Sequence, residues 1–196
     1  MTTAMPVLET ARLLIRPVVV DDFDAACHIL DAGFGTTPAD ERRVWLEWAV
    51  RNHSALANLF QPPYGDRAFI LKETNAMIGM VGLVPAIGPY RRLPAMRYAG
   101  EPEDRFIQPE FGLFWATAPE QQRKGYAAEA AQGMIDYAFK TMNIRRIIAE
   151  TDTDNLASQA VMRRLGMTIN HNPTPGDPPW FQVVGVLYNP SISSKS

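Results

Sequence analysis

The sequence predicts a single α/β domain with a mixed sheet. Its 196 residues, 46% of them hydrophobic and 20% charged, suit one globular domain. Short β-branched segments alternate with segments of helical periodicity, in the order β-α-α-β-β-β-α-β-α-β-β. No internal repeat and no long linker divides the chain, so we expect one domain over residues 1–190 and a flexible tail over residues 191–196.

The elements of the first half are bounded by residues that favour starting or stopping them. Asp21 and Asp22 are suited to cap a helix, and Pro38 is suited to begin one. Residues 73–75 favour a hairpin turn between two apolar segments. The predicted elements are, in chain order, a strand over residues 12–18, a helix ending near residue 30, a break over residues 33–37, a helix from residue 38 through residue 49, and strands over residues 67–72 and 76–84.

The second half contains the most strongly helical segment of the chain. Small and apolar residues recur at helical spacing over Gly125–Met142. Asp154 or Asn155 is placed to cap a further helix, which Gly166 would end, and the polar segment Gly88–Gln108 predicts a long loop. The other predicted elements are a strand over residues 110–116, a strand over 144–151, a helix over 155–165, and strands over 167–170 and 180–188.

The charge balance and the cysteine count exclude several classes of protein. Lys and Arg number 19 against 21 Asp and Glu, and the net charge of -2 argues against a protein that coats nucleic acid. One cysteine, Cys27, excludes an internal disulfide, and the three histidines have no metal-binding spacing. The longest nearly apolar run, Met77–Ile87, is about half the length of a membrane helix. We therefore expect a reduced, cytoplasmic protein, monomeric or homodimeric, that binds no metal, membrane or nucleic acid.

The segment Phe111–Ala131 contains a candidate anion site. A predicted strand leads through a short turn to Gln122–Ala127 and directly into the strongest helix. The first amides of a helix have no intrahelical acceptor and lie at the positive end of its dipole. Gly125 removes a side chain that would block close approach, and Arg123 and Lys124 add positive charge, so the segment suits a pyrophosphate. The alternative is a helix that simply begins after a polar turn.

Two other phosphate-binding motifs are absent from the chain. No G-x-x-x-x-G-K-[ST] sequence occurs, and no G-x-G-x-x-G follows a predicted strand. A nucleoside triphosphatase or a Rossmann dehydrogenase is therefore not predicted.

Three motifs resemble those of one known family. Gln122-x-x-Gly125-x-Ala127 looks like the acyl-coenzyme A pyrophosphate motif Q/R-x-x-G-x-G/A of the GNAT superfamily of N-acetyltransferases. Further along, Asp154–Ser158 and the helix end at Leu165 to Met167 resemble the N-x-x-S…L-G-F segment of the same family. The opening Leu8–Arg16 is similar to the L-x-T-x-R-L-x-L-R start of the branch that includes the ribosomal-protein N-terminal (alanine) acetyltransferases. The motifs occur in the family's order, and the resemblance spans residues 7–188.

This resemblance implies the single-domain GNAT fold, in which helices flank a mixed, mostly antiparallel central sheet with a splayed central strand. It also implies acetyl-coenzyme A as cosubstrate. In this family the free backbone groups of that strand pair with the pantetheine arm, and loop amides hold the pyrophosphate. An asparagine at the start of the last helix, here Asn155, hydrogen-bonds the pantetheine; a plain helix cap is the alternative, and both roles can coexist. The positions that match the family's coenzyme-binding residues are Trp115, Ala116, Thr117, Gln122, Arg123, Lys124, Gly125, Tyr126, Ala127 and Asn155.

The resemblance also implies that a neutral amine attacks the thioester directly, which requires a proton acceptor and a proton donor. Glu110, at the start of the splayed strand, is the candidate base, and an exposed strand-end glutamate without a catalytic role is the alternative. Many relatives place a tyrosine acid at the position of Met162, which has no proton to donate. Ser158 is therefore the candidate donor.

The acceptor class stays open at this point. The candidate acceptors are a protein N-terminus and three kinds of small molecule: an amino acid, a polyamine and an antibiotic-like amine. The branch resemblance favours a protein α-amine. A hypothesis of a different class is a non-catalytic acyl-coenzyme A sensor that uses the same loop, which would bind the coenzyme without turnover. A third is a structural interaction domain, which would not bind coenzyme A at all.

Overall fold

The computed structural model describes residues 6–97, 101–102 and 106–195 of the chain. The strands are β1 (Leu8–Glu9), β2 (Leu13–Pro17), β3 (Gly65–Leu71), β4 (Ala76–Gly88), β5 (Gln108–Thr117), β6 (Arg146–Thr151), β7 (Thr168–His171) and β8 (Val183–Tyr188). The helices are α1 (Phe23–Phe34), α2 (Ala39–Asn58), α3 (Tyr126–Lys140) and α4 (Leu156–Arg164). Every predicted helix and strand occurs. Within the described residues, no helix is both long enough and apolar enough to cross a membrane.

The first helix is longer than predicted. α1 continues past Leu30 to Phe34 and stops at Gly35, whose φ of +88° is unfavourable for other residue types. Gly33, predicted to lie in a break, is inside the helix. One helical glycine costs about 1 kcal/mol, and the burial of the apolar face of α1 outweighs that cost.

Asp22 stands at the N-cap position of α1, as predicted, but does not bond the helix amides. Its two carboxylate oxygens each accept a guanidinium nitrogen of Arg16 at 2.7 Å, and one of them accepts the Val19 N–H at 2.9 Å. An arginine fork satisfies both carboxylate oxygens at once. The ion pair therefore replaces the cap and joins β2 to the start of α1.

Three other regular elements differ in their bounds: α2 continues past residue 49 to Asn58, β4 continues to Gly88, and β8 begins at Val183 instead of residue 180. The remaining differences lie in short or irregular segments. The two-residue strand β1 was not predicted, because two residues carry no periodicity. The predicted loop after β4 contains two 3-10 turns, Tyr90–Arg92 and Pro94–Met96, while residues 98–100 and 103–105 lie outside the described part. In the predicted tail, Pro190–Lys195 form a 3-10 helix and Ser196 lies outside the described residues. The flexibility of that tail stays a prediction.

The strands form one mixed sheet in the order β1-β2-β3-β4-β5-β6-β8-β7. Strands β5 and β6 are parallel, whereas the pairs β1–β2, β2–β3, β3–β4, β6–β8 and β7–β8 are antiparallel. β5 and β6 share the register pair Gly112–Ile148, and β6 then continues against β8, where Glu150 lies opposite Val184. A single shared register pair is consistent with the splayed strand that the resemblance implied.

The chain divides into two compact units, each with its own core. The first unit runs through Val84 and also includes Phe114–Tyr137, and the second holds Pro85–Leu113 and the chain from Ala138 onward. The first core contains Val18, Ala26, Ile29, Leu30, Leu46, Ala49, Ala68, Ile70, Met80, Ala116 and Ala118. The second core contains Tyr90, Leu93, Met96, Ile148, Phe181, Val184 and Val186.

A side chain at Gly79 of β4 would collide with the ring of Phe69 on β3. A Cβ there would lie 1.8 Å from Phe69 Cζ, so we expect Gly79→Ala to lower the free energy of unfolding by about 1–3 kcal/mol. Chemical denaturation measures this change. The same substitution in a Phe69→Leu background should cost less, because the ring is the obstacle. An unchanged unfolding free energy in Gly79→Ala would contradict this packing.

Candidate active site

The loop between β5 and α3 contains two residues with positive φ angles. A 3-10 helix over Pro119–Gln121 leads into it. Arg123 and Gly125 then adopt positive φ angles of +61° and +82°. Left-handed residues that alternate with ordinary ones turn successive N–H groups toward one concave side. A non-glycine residue at positive φ, such as Arg123, is strained, and such strain is frequent at binding sites.

The first turn of α3 leaves three amides without an intrahelical acceptor. The first bond of the helix runs from Glu129 N–H to Gly125 O at 3.1 Å, so the N–H groups of residues 126–128 are free within the helix. They lie at the positive end of the helix dipole, next to the exposed cations Arg123 and Lys124. This combination suits a phosphate or a diphosphate.

The end of β5 supplies further groups in the same unit. Ala116 is buried in the first core, whereas Trp115 and Thr117 are half-buried. Gln122 Nε2 donates to the Thr117 carbonyl at 3.3 Å, which ties the loop to the strand. The Thr117 hydroxyl is buried and has no hydrogen-bond partner among the described residues. A buried, unsatisfied hydroxyl is costly in a native structure, so this atom fits a ligand-bonding role.

Asn155 caps α4 in the second unit. Its Oδ1 accepts the Ser158 N–H at 3.0 Å, which confirms the predicted helix cap. The cap uses the carbonyl oxygen, and the amide nitrogen is the group that would bond a pantetheine oxygen. Asn155 is exposed and Ser158 is half-buried. The pantetheine contact of Asn155 and the proton-donating role of Ser158 stay predictions.

Met162 is a core residue. It is 0% exposed, and its sulfur lies 3.0 Å from the point where a Cβ on Gly185 would be. A thioether fills irregular gaps of this kind well. The position that carries a tyrosine in many relatives thus contributes packing here and no proton.

Glu110, the predicted base, is held in an ion pair in the second unit. Arg146 donates to both carboxylate oxygens of Glu110, and Gln108 Nε2 donates to Oε1 at 3.1 Å. Arg146 also donates to the Tyr188 hydroxyl at 3.1 Å, and that hydroxyl donates to Ala95 O at 2.9 Å. Burial alone would lower the pKa of Arg146, but its hydrogen bonds and charge pairing with Glu110 raise it. Both oxygens of Glu110 therefore accept hydrogen bonds, and its role as the base stays a prediction.

A second carboxylate, that of Glu150, lies on the same face of β6 as Arg146, the partner of Glu110. It lies two residues past Ile148, and thus past the register pair that β6 shares with β5. The residue is exposed, yet its carboxylate is crowded enough for loss of hydration to raise its pKa, which the Tyr90 hydroxyl partly offsets. Tyr90 is fully buried, and no hydrogen bond of ordinary geometry reaches its hydroxyl within the described residues. Glu150 is therefore a second carboxylate to consider as a base, beside Glu110.

Neither Glu150 nor Tyr90 carries a local sequence signal of function. Glu150 lies inside a predicted strand, and strand alternation indicates only which face it occupies. Tyr90 lies in the predicted long loop, and its approach to β6 depends on tertiary structure. Elsewhere in the described residues, no three His, Cys, Asp or Glu side chains are grouped to hold a metal ion.

A mixed sheet in which a strand leads through a short turn into a long helix is the arrangement that the GNAT resemblance implied. A family model described as an acetyltransferase (GNAT) domain matches residues 12–168. The chain therefore belongs to the GNAT acetyltransferase family, and it is an acetyl-coenzyme A-dependent acyltransferase. This conclusion favours the enzyme over the sensor and over the structural interaction domain.

Several relatives of the chain are named as N-acetyltransferases. The "Uncharacterized N-acetyltransferase YnaD" of Bacillus subtilis (strain 168) is 44% identical over 164 residues, which are 82% of this chain and 81% of that protein. The spermidine N(1)-acetyltransferase of Escherichia coli (strain K12) is 26% identical over 168 residues, 84% of this chain and 76% of that protein. Acetyl transfer is common to these names, whereas the acceptor is named in the second alone.

Solved structures show the same fold. An acetyltransferase from Agrobacterium tumefaciens str. C58 superposes with a TM-score of 0.69 at 23% identity, covering 94% of this chain and 95% of that one. RimL, a ribosomal L7/L12 alpha-N-protein acetyltransferase in complex with coenzyme A, superposes with a TM-score of 0.61 at 16% identity, covering 93% and 98%. At these identities the likeness establishes the GNAT fold.

Proposed function

We propose that this protein transfers the acetyl group of acetyl-coenzyme A to a primary amine, and that the favoured acceptor is the α-amine of a peptide or protein N-terminus. The observation that carries the proposal is the turn at Arg123–Gly125 followed by free amides at the start of α3. The opening motif Leu8–Arg16 and the fold of RimL support an N-terminal acceptor. A polyamine is the second candidate, because a spermidine acetyltransferase is 26% identical to the chain.

The turn before α3 fits the diphosphate of the coenzyme. Gly125 at a φ of +82° leaves no side chain in the turn, and the amides of residues 126–128 have no competing acceptor within the helix. Arg123 and Lys124 complement the negative charge, and the unpartnered hydroxyl of Thr117 can bond the ligand. We assign coenzyme binding to Trp115, Ala116, Thr117, Gln122, Arg123, Lys124, Gly125, Tyr126, Ala127 and Asn155.

An amine acceptor must lose a proton before it can attack. Model α-amines have a pKa of about 8 and lysine side chains of about 10.4, so a carboxylate base is needed near neutral pH. Glu110 was the predicted base, but its oxygens are bonded to Arg146. Glu150 is exposed on β6 and is not paired with Arg146, so we favour it as the base.

Acetyl-coenzyme A supplies the activated acetyl group as a thioester. The amine nitrogen forms a bond to the acetyl carbonyl carbon, and the carbon–sulfur bond breaks. One proton of the neutral amine passes to the carboxylate base, which releases it to solvent. The departing thiolate takes a proton from solvent, either directly or through the Ser158 hydroxyl, which regains a proton from solvent. Atoms and charges balance with an amide and coenzyme A as the products.

An acceptor panel tests the proposed function. Purified protein is incubated with acetyl-coenzyme A and one of three amines: a lysine-free peptide with a free α-amine, the same peptide with a blocked N-terminus, or spermidine. We expect thiol release with the free peptide and none with the blocked one, and mass spectrometry should place the acetyl group on the α-nitrogen. Turnover of spermidine alone would move the acceptor to the polyamines. Coenzyme binding without turnover of either amine would contradict the proposed acceptor classes.

A further inference from the structure

Three residues outside the assigned site are connected to its turn. Thr10 and Arg12 lie in the connection between β1 and β2, and Glu129 lies in the first turn of α3. All three belong to the first unit, as does the turn itself. Thr10 and Arg12 are also the T and R of the opening motif, for which the resemblance supplied no role.

Glu129 accepts three hydrogen bonds from the β1–β2 connection. Its Oε1 accepts the Thr10 hydroxyl at 2.6 Å and the Arg12 N–H at 2.8 Å, and its Oε2 accepts Arg12 Nε at 2.6 Å. Burial alone would raise the pKa of Glu129, but these hydrogen bonds lower it, so the carboxylate is ionised. An uncompensated carboxylate in the first turn of α3 would compete with an anionic ligand for the positive helix end. Arg12 removes that competition by pairing with it.

Arg12 also contacts the turn directly. Its Nη1 donates to Lys124 O at 3.1 Å, and its guanidinium carbon lies 4.4 Å from the centre of the Tyr126 ring. Arg12 thus contacts the residues on both sides of Gly125 while it bonds Glu129. A planar guanidinium has donors in a fixed fork that can serve two acceptors at once, and an ammonium group lacks this geometry.

The bond to Lys124 O orients the peptide unit between Lys124 and Gly125. In a trans peptide, the carbonyl and the following N–H point in opposite directions. Because Arg12 holds the Lys124 carbonyl on its own side, the Gly125 N–H is directed away from Arg12. This peptide unit lies between the two residues of positive φ, Arg123 and Gly125, so its orientation affects whether the amides of the turn converge on one ligand.

We propose that Thr10, Arg12 and Glu129 are positioning residues that hold residues 122–127 in the anion-binding conformation, an inference that rests on the proposed function because it takes the diphosphate of acetyl-coenzyme A as the ligand. Arg12 acts through the Lys124 carbonyl and the Glu129 carboxylate, to which its guanidinium is bonded. Thr10 supports the same carboxylate and also accepts the Leu13 N–H at 3.0 Å, which fixes the connection between the strands.

Arg12→Lys and Glu129→Gln test this positioning role, with Arg16→Lys as the matched control. Arg16 lies on β2 and has its own ion pair with Asp22 at 2.7 Å. We expect Arg12→Lys and Glu129→Gln each to raise the dissociation constant of coenzyme A and the KM for acetyl-coenzyme A about tenfold, the effect of losing a charge-assisted hydrogen bond. The kcat and the KM for the amine should change less than about twofold. Arg16→Lys should leave the affinity for coenzyme A unchanged.

S-acetylpantetheine separates positioning of the turn from a general loss of structure. It carries the same thioester as acetyl-coenzyme A but lacks the diphosphate. In Arg12→Lys, kcat/KM should fall for acetyl-coenzyme A and stay unchanged for S-acetylpantetheine. An equal loss with both donors, or unaltered coenzyme affinity in both variants, would overturn the positioning role. Failure of the wild-type protein to bind coenzyme A would instead overturn the proposed function, and this inference with it.

Discussion

Replacing Glu150 with glutamine is expected to lower kcat about 100-fold or more, the usual contribution of a general base. Glutamine keeps the shape of the side chain and cannot accept the amine proton. The dissociation constant of coenzyme A should stay the same, because the residue is not assigned to the coenzyme. Steady-state kinetics at saturating concentrations of both substrates measures the first quantity, and titration calorimetry with coenzyme A measures the second.

Glu110→Gln is the matched comparison, with a different expected result. The substitution removes the charge partner of Arg146, whose side chain is only 15% exposed. An unpaired buried cation destabilises the fold, so we expect the free energy of unfolding to fall by about 3 kcal/mol. The kcat of the folded fraction should fall far less than in Glu150→Gln. A folded but inactive Glu110→Gln, together with an active Glu150→Gln, would return the base role to Glu110.

The pH dependence of kcat checks the same assignment independently. A base works in its deprotonated form, so kcat falls as the pH drops through the pKa of Glu150. Loss of hydration raises that pKa, so the acid limb of the profile should lie above the ordinary glutamate value of about 4.3. The limb should disappear in Glu150→Gln. An identical acid limb in this variant would assign the titration to another group.

The turn before α3 and the start of α4 were predictable because their signals are local. A glycine that follows two basic residues ahead of a helical period predicts a free helix end, and the structure adds that Gly125 has a positive φ, which also favours glycine there. Asn155 precedes its helix by one residue, and the predicted cap is confirmed by its bond to Ser158. Each of these signals depends on residues within one helical turn of the feature.

The ionic contacts around the site were not predictable, because they join distant parts of the chain. Thr10 and Glu129 are separated by 119 positions, and Glu110 and Arg146 by 36. Local sequence left Glu110 either as a base or as an exposed strand end. The structure pairs Glu110 with Arg146, a cation that no nearby sequence feature indicates, and its role as the base stays a prediction. The tertiary fold therefore decides which carboxylate is paired with a cation, and local sequence does not.

Replacing Gly125 with valine is expected to raise the dissociation constant of coenzyme A about tenfold or more. Two effects contribute to this loss. A β-branched residue is strained at the φ of +82° that Gly125 adopts. The new side chain would also stand beside the free amides of residues 126–128 and block close approach of the diphosphate. Titration calorimetry with coenzyme A measures the change.

Gly176→Val separates the strain from the blocked turn. Gly176 has the same φ of +82°, and a Cβ there would meet nothing within 4 Å. Both substitutions should lower the free energy of unfolding through backbone strain, but only the one at Gly125 should weaken coenzyme binding. Coenzyme affinity at the wild-type level in a folded Gly125→Val variant would mean that residues 122–127 do not hold the diphosphate. The proposed positioning role of Arg12 would then fail as well, because Arg12 acts on the same turn.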